Sequence, residues 1–397
     1  MKQKIIYLSL VCICLCTLCL GCQKMPEEVE NRIQEYGDNK QVDSEELVYC
    51  SIEELQNTDI SNKDFELDNM VIPDEVDFSN IEGVEVLDLA YEKNYIENQQ
   101  KYIDIFKIDP STSPEIISDE SDSYVTYDNK SDREQLQISD GGFISYYSGL
   151  SYDYFNDEED SLIKEHIIEK KYDLYNEDIS QVKVNFGKEE AKLSQICTDT
   201  EKWLDENVNI DKCEYHISDV YIRNNKYSEG KKKQLSLMAE VEYKGIRFNN
   251  YAFLVSNEGE TGKLDIITYG VNLNYDGIDQ LSYFTNTSGK FVINSSEVIN
   301  KVVSPESAVK LVNRTLAGFN KIKFDRIIPL YALYPEYDSA TQLYSGPGQV
   351  VKGRPVYAFL IRGEEDDSEM GIHKVNSYKS FFFVDMVTGE FTTNIDR

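Results

Sequence analysis

The sequence predicts an α+β protein made of tandem modules, each a single helix packed on an antiparallel β-sheet. Three observations carry that expectation. Apolar residues recur at helical spacing over residues 188–206 (Leu193, Ile196, Cys197, Thr200, Trp203, Leu204) and again after Ser304-Pro305-Glu306 (Ala308, Leu311, Val312, Leu316). Strand-like runs follow each stripe; Leu235, Leu237, Ala239, Val241 and Tyr243 alternate with Gln234, Ser236, Met238, Glu240 and Glu242, a period of two that predicts a sheet with one solvated face. Finally, Tyr251-Ala252-Phe253-Leu254-Val255 recurs as Tyr357-Ala358-Phe359-Leu360-Ile361, each a few residues after a glycine and an arginine (Gly245 and Arg247, Gly353 and Arg354), which suggests two copies of one unit.

Taken in order, the chain opens with a segment that sorts it. Lys2 and Lys4 precede an apolar run over residues 5–20, and Gly21 stands directly before Cys22. That is the layout of an export signal ending at a cysteine. As a helix the run rises only about 25 Å, short of a bilayer's hydrocarbon core of about 30 Å, so cleavage is favoured over a retained membrane span. The segment resembles the signal peptides of bacterial lipoproteins, in which a small residue precedes a cysteine that is diacylated before the peptidase cuts. Gly21 and Cys22 match that pattern; at the third position before the cysteine, where the family prefers leucine, this chain has Cys19. The resemblance implies residues 1–21 as signal peptide, lipidation at Cys22, and a membrane attachment that two acyl chains suffice to hold. A plain secretory signal is the alternative.

Residues 22–66 are rich in Glu, Asp, Asn and Gln with few aromatics and read as an acidic flexible tether. A first α+β module spans 67–155, with a helical stripe expected over 86–106 and three short strands, the last two joined by Asp140-Gly141-Gly142. Residues 156–180 form a charged connector. A middle helix-plus-sheet module occupies 181–285 and a C-terminal one 286–397. In the latter, Ser304 caps the helix, Pro305 fills its first turn without losing a hydrogen bond, and Glu306 suits its positive end. Phe381, Phe382, Phe383 and Val384 are apolar on both faces, which predicts a central strand, and Asp385 to Gly389 form a tight turn after it.

Charge excludes one class of partner. The chain carries a formal charge of −32, and losing residues 1–21, with two lysines and no acids, brings it to −34. Such a surface repels phosphate, so no nucleic acid is expected. With 41% hydrophobic residues, 17 Phe and 28 Tyr, the acidity belongs to a packed protein's surface. Four of eight cysteines leave with the signal; besides Cys22 there remain Cys50, Cys197 and Cys213, too few for a disulfide framework. Cys197 and Cys213 are a possible disulfide, or two small buried apolar residues.

No catalytic constellation, metal set or cofactor motif is found. His166, His216 and His373 are scattered, Gly149-Leu150-Ser151-Tyr152-Asp153 lacks the final glycine of a nucleophile elbow, and Gly259-Glu260-Thr261-Gly262-Lys263 is too short for a phosphate loop. The acidic runs 157–160 and 364–367 lack the glycine-punctuated ladder of a calcium loop. Tyrosine is the unusual abundance: Tyr331, Tyr334, Tyr337 and Tyr344 cluster around one loop and offer a possible binding surface, against the alternative of ordinary sheet packing.

The C-terminal pattern SPESAVKLVNRTL, VYAFLIR and YKSFFFVDMVTGEF resembles the PepSY-type modules of Gram-positive envelope proteins, whose strand ends in a VD..TGE turn; Val384, Asp385, Thr388, Gly389 and Glu390 match. It covers under a quarter of the chain and brings no catalytic residue. The resemblance implies a module that inhibits or regulates partner proteins, including peptidases and sensor kinases. The start GCQKMPEE is also similar to a group of clostridial-type lipoproteins of this length. Together these give the expectation of a non-catalytic lipoprotein on the outer face of the cytoplasmic membrane of a Gram-positive-type bacterium, binding or regulating an envelope protein. A lipoprotein that binds a sugar or peptide is the second expectation, and an envelope hydrolase the third.

Overall fold

A computed structural model describes residues 47–61, 63, 65–91, 96–109, 111–118, 123–139, 142–149, 151–152, 163–165, 168–175, 177–208, 210, 212–227, 230–249, 270–286, 291–316, 321–335, 350–362 and 378–393. Within them the chain is mostly strand, with four helices. The N-terminal part supplies β1 (Tyr49–Ser51), α1 (Ile52–Gln56), β2 (Met70–Val71), β3 (Val84–Tyr91), α2 (Gln99–Phe106), β4 (Pro114–Ser118), β5 (Ser123–Asn129), β6 (Glu134–Ser139), β7 (Ile144–Ser148), β8 (Ile163–Glu165) and β9 (Ile168–Asp173). The middle adds β10 (Lys183–Phe186), β11 (Glu189–Lys192), α3 (Leu193–Asn207), β12 (Glu214–Tyr227), β13 (Gly230–Tyr243), β14 (Ile246–Phe248), β15 (Val271–Gly277) and β16 (Gln280–Asn286). The last part gives β17 (Phe291–Ile299), β18 (Lys301–Val303), α4 (Pro305–Thr315), β19 (Ile322–Lys323), β20 (Arg326–Pro335), β21 (Val350–Arg362), β22 (Tyr378–Asp385) and β23 (Phe391–Thr393).

The expectation of tandem helix-on-sheet modules is overturned. Ladders run across every boundary between the segments that the sequence separates. β3 pairs with β17 on one edge and with the first half of β21 on the other. β7 pairs with β16, and β14 runs parallel to β20. The long strands make this possible: β13 lies beside β12 along its length, while its other edge is shared between β15 and β14. One large sheet system results, with a main core on one side and a smaller apolar cluster on the other. Phe106 of α2 stacks on Tyr146 of β7 at 4.7 Å and meets Phe284 of β16 at 5.2 Å, and Phe284 also meets Trp203 of α3 at 6.0 Å. Each such aromatic contact adds about 0.5–1.5 kcal/mol beyond the area it buries.

Local signals are realised where neighbours along the chain decide them. Ser304 is the N-cap of α4, accepting a hydrogen bond from the Ser307 N–H at 3.2 Å, and Pro305 opens the helix. Leu193, Ile196, Cys197, Thr200 and Leu204 form the buried face of α3. β22 is buried on both faces between β21 and β23. Asp385 Oδ1 then accepts from the N–H groups of Val387 at 2.8 Å and Thr388 at 2.9 Å, and Gly389 takes φ 73° to close the turn.

Residues 86–106 do not form one helix. β3 occupies the first part because Val84 and Val86 are β-branched and Leu87 and Leu89 alternate into the core, while helix begins only at Gln99. Part of the segment read as tether is also folded. β1 pairs with β18, Ser51 forms a reciprocal capping box with Glu54 on α1, and Leu55 is fully buried. The repeat copy at 251–255 lies outside the described residues.

Candidate functional site

The polar face of β13 is not solvated. Gln234, Ser236 and Glu240 are all buried, Glu240 to 2% exposure. Register explains what they meet. His216 stands opposite Glu240 on β12, Tyr221 opposite Ser236 and Arg223 opposite Gln234, so these residues share one face, while Tyr215, Ile217, Val220 and Ile222 fill the core on the other. A bulge between Ile217 and Asp219 turns Asp219 onto the polar face, where it is fully buried. β9, from the segment read as connector, covers the free edge of β12 and sets Asp173 opposite Asp219.

Where β9 ends, Tyr175 folds between two arginines from different strands. Its ring centroid is 4.0 Å from the guanidinium carbon of Arg247 on β14 and 4.1 Å from that of Arg326 on β20. Each arginine is matched to carboxylates: Arg247 donates to Glu240 Oε2 at 3.0 Å and approaches Glu242 at 3.4 Å, and Arg326 pairs with Asp173. The Tyr175 hydroxyl donates to Glu240, and His216 Nε2 lies 3.6 Å from Glu242 Oε1. Four separate stretches of chain are thus joined by charge in an interior where an unmatched charge is costly.

This arrangement sets the protonation states. Burial, with Glu240 beside it, pushes the Tyr175 phenol well above its ordinary range. Glu242 raises the His216 imidazole against the effect of burial. Burial also works to raise the Glu242 carboxyl, but His216 and Arg247 outweigh it and hold the group low. Asp219 differs: burial pushes it up to about 7, Lys171 and Arg326 oppose the shift, and Glu240 and Asp173 reinforce it.

Beside the network opens a cleft of about 640 Å³. Residues 73–78, 80 and 81 form one wall; Tyr175, Glu242, Arg247 and Arg326 form part of the floor; Asp325 and residues 327–329 close the other side. The first wall is fixed by backbone. The Glu82 N–H donates to the Lys244 carbonyl at 3.0 Å, and Gln56 Nε2 donates to the Ile81 carbonyl at 2.6 Å. Gly245 takes φ 77°, and the Asn80 carbonyl oxygen lies 1.9 Å from where a Cβ would stand, so only glycine permits this approach. Lys244 and the Tyr243 hydroxyl both bond Glu85, which is buried in β3.

The residues singled out from the sequence lie elsewhere. Tyr331 is fully buried, against Phe248 at 5.4 Å and Tyr243 at 6.2 Å, and belongs to the core. Tyr334 is on β20 packed against a smaller apolar cluster on the other side of the sheet, and Tyr337 and Tyr344 lie outside the described residues. Cys22, His166, His373 and both acidic runs are also outside them. Cys197 and Cys213 are both buried and not joined in a disulfide, and burial followed by Glu201 pushes Cys197 up to about 12. Sequence reading missed Asp173, Tyr175, Glu240, Glu242, Arg247 and Arg326. The one signal was the polar half of the β13 alternation, which carries two glutamates where a buried partner was not anticipated.

No family model matches the chain. No curated protein matches it either. Among solved structures, an uncharacterized protein from Eubacterium rectale ATCC 33656 is similar at 11% identity with a TM-score of 0.45, over 79% of this chain and 86% of that one. No helix of the described residues is long and apolar enough to cross a membrane.

Proposed function

We propose that this is a lipid-anchored, extracytoplasmic binding protein without catalytic activity, attached through Cys22 and holding an envelope partner protein in the cleft beside the Arg247–Tyr175–Arg326 stack. The observation that carries the reading is the state of the charged groups on the cleft floor. Glu242, Arg247 and Arg326 are held in mutual pairs and Tyr175 keeps its proton, so none is poised to exchange a proton with a substrate near neutral pH. Asp219 does titrate there, but it is fully buried and does not line the cleft. A concavity whose floor is built of matched charges suits recognition, which disfavours the hydrolase reading.

A small ligand is the second reading, supported by the cleft's volume of about 640 Å³, within the range of small-molecule sites. Photo-crosslinking from residues 73–81 in intact membranes separates the two. A specific protein adduct is expected. Recovery of none, together with a thermal shift on adding a sugar or peptide, would move the assignment to the small ligand.

A further inference from the structure

We propose that the cleft receives lysine or arginine side chains of its partner polypeptide, an inference that rests on the binding-protein reading above. Charge balance is the first ground. Among the described residues Arg247 and Arg326 are the cations on the lining, and both are engaged internally, Arg247 by Glu240 and Glu242 and Arg326 by Asp173. Asp74, Glu75 and Asp77 also line the cleft, and among the described residues the lining holds no further basic residue beside them. The mouth therefore presents net negative charge, and low-dielectric walls concentrate its field.

The apolar part of the lining is the second ground. Pro73, Val76, Ile328 and Pro329 give the walls hydrocarbon surface on which the aliphatic stem of a lysine or arginine can lie while its head meets the acids. A bare metal ion has no use for that surface, and among the described residues no three acid, histidine or cysteine groups approach closely enough to share one. The third ground is spacing. Along the wall Val76 and Phe78 are buried while Asp74, Glu75 and Asp77 are exposed, so the acids are set out along a line of chain. That matches charges spaced along an extended peptide, whose alternate side chains point the same way, better than the single head of a compact amine.

The test uses the full chain in detergent and an array of pentapeptides built from Lys, Arg, Glu, Ala and Phe, followed by fluorescence anisotropy of the best binder. Peptides with two basic residues are expected to be retained. Acetylating the lysines, or neutralising the rim with Asp74→Asn and Glu75→Gln, should weaken binding about tenfold, the effect of one or two charges at contact range. Both positions are exposed, and the variant should melt with the wild type; Glu75→Gln alone serves as a milder second variant. Equal binding of acetylated and free peptide, unchanged binding by the rim variant, or no retained peptide would overturn the proposal. Tighter binding of spermidine than of any peptide would overturn it in favour of a free polyamine. The membrane crosslink separates this inference from its premise: a partner still captured by the rim variant refutes the basic segment and leaves the binding function standing, whereas no partner at all refutes the function itself.

Discussion

Asparagine at position 219 should remove a pH dependence that is built into the interior. The Asp219 side chain is fully buried, and its pKa rises from an ordinary 3.8 to about 7. The folded protein therefore holds this proton more tightly than the unfolded chain does. Below about pH 4 both states keep it and the group contributes nothing to the slope. Between about pH 4 and 7 the unfolded chain releases it first, so stability falls as pH rises, and above about pH 7 the loss is complete. A shift of about three units at 1.36 kcal/mol each sets the total at about 4 kcal/mol. Asp219→Asn abolishes this titration. Its amide adds a donor, and an unmet buried donor costs about 1–3 kcal/mol at every pH, which displaces the curve without tilting it. The quantity to read is thus the stability difference between variant and wild type, from urea unfolding followed by the fluorescence of Trp203, the chain's one tryptophan. That difference should move in favour of the variant by about 4 kcal/mol between pH 4 and pH 8. A difference that stays flat across the window would refute the account of Asp219 as a buried acid that must ionise.

Other perturbations probe the same framework. Arg326→Met strips buried Asp173 of its ion pair and should cost about 3–5 kcal/mol in urea unfolding, while adding Asp173→Asn to it should restore most of the loss. Gly245→Ala drives a methyl into the Asn80 carbonyl and should cost about 2 kcal/mol or more; Gly187→Ala, also at positive φ but with open space around it, should cost about 1 kcal/mol, and melting temperatures will rank the two. On the proposed lipid anchoring, Cys22→Ser should block acylation and the cut that follows it, read as loss of labelled palmitate and slower gel migration of the uncut chain.

What the sequence made legible was decided within a few residues of itself. The cap at Ser304-Pro305, the buried stripe of α3 and the Asp385–Gly389 turn all rest on neighbours two to four positions away, and the structure reproduces them. The architecture was not local. Whether β12 and β13 belong to a closed module or continue through β14 into β20 depends on pairs such as Phe248 and Tyr331, and no period in the sequence announces them. The error at β3 has the same origin: lysine, isoleucine and glutamine at helical spacing beyond residue 92 lent their period to a stretch that two distant strands hold extended. The site was hidden by a rule that usually serves well. Alternating polar residues in a strand ordinarily mean water, but here they mean Arg247, Tyr175 and Asp173, contributed by segments on either side of the hairpin in sequence.

The first of the described residues are joined to those near the last. The Val48 N–H donates to Ser307 Oγ across 259 positions, the Ser304 N–H donates to the Val48 carbonyl, and Leu47 packs against Gly389 across still more. β3 likewise waits for β17 and β21. A chain emerging from its amino end meets these partners only after nearly all of it has been made, so its early strands stay without their neighbours through most of synthesis. Completion is then late: the turn around Asp385, near the end of the described residues, closes over Leu47 at their start. A truncation there should leave not a shorter protein but an unfinished one.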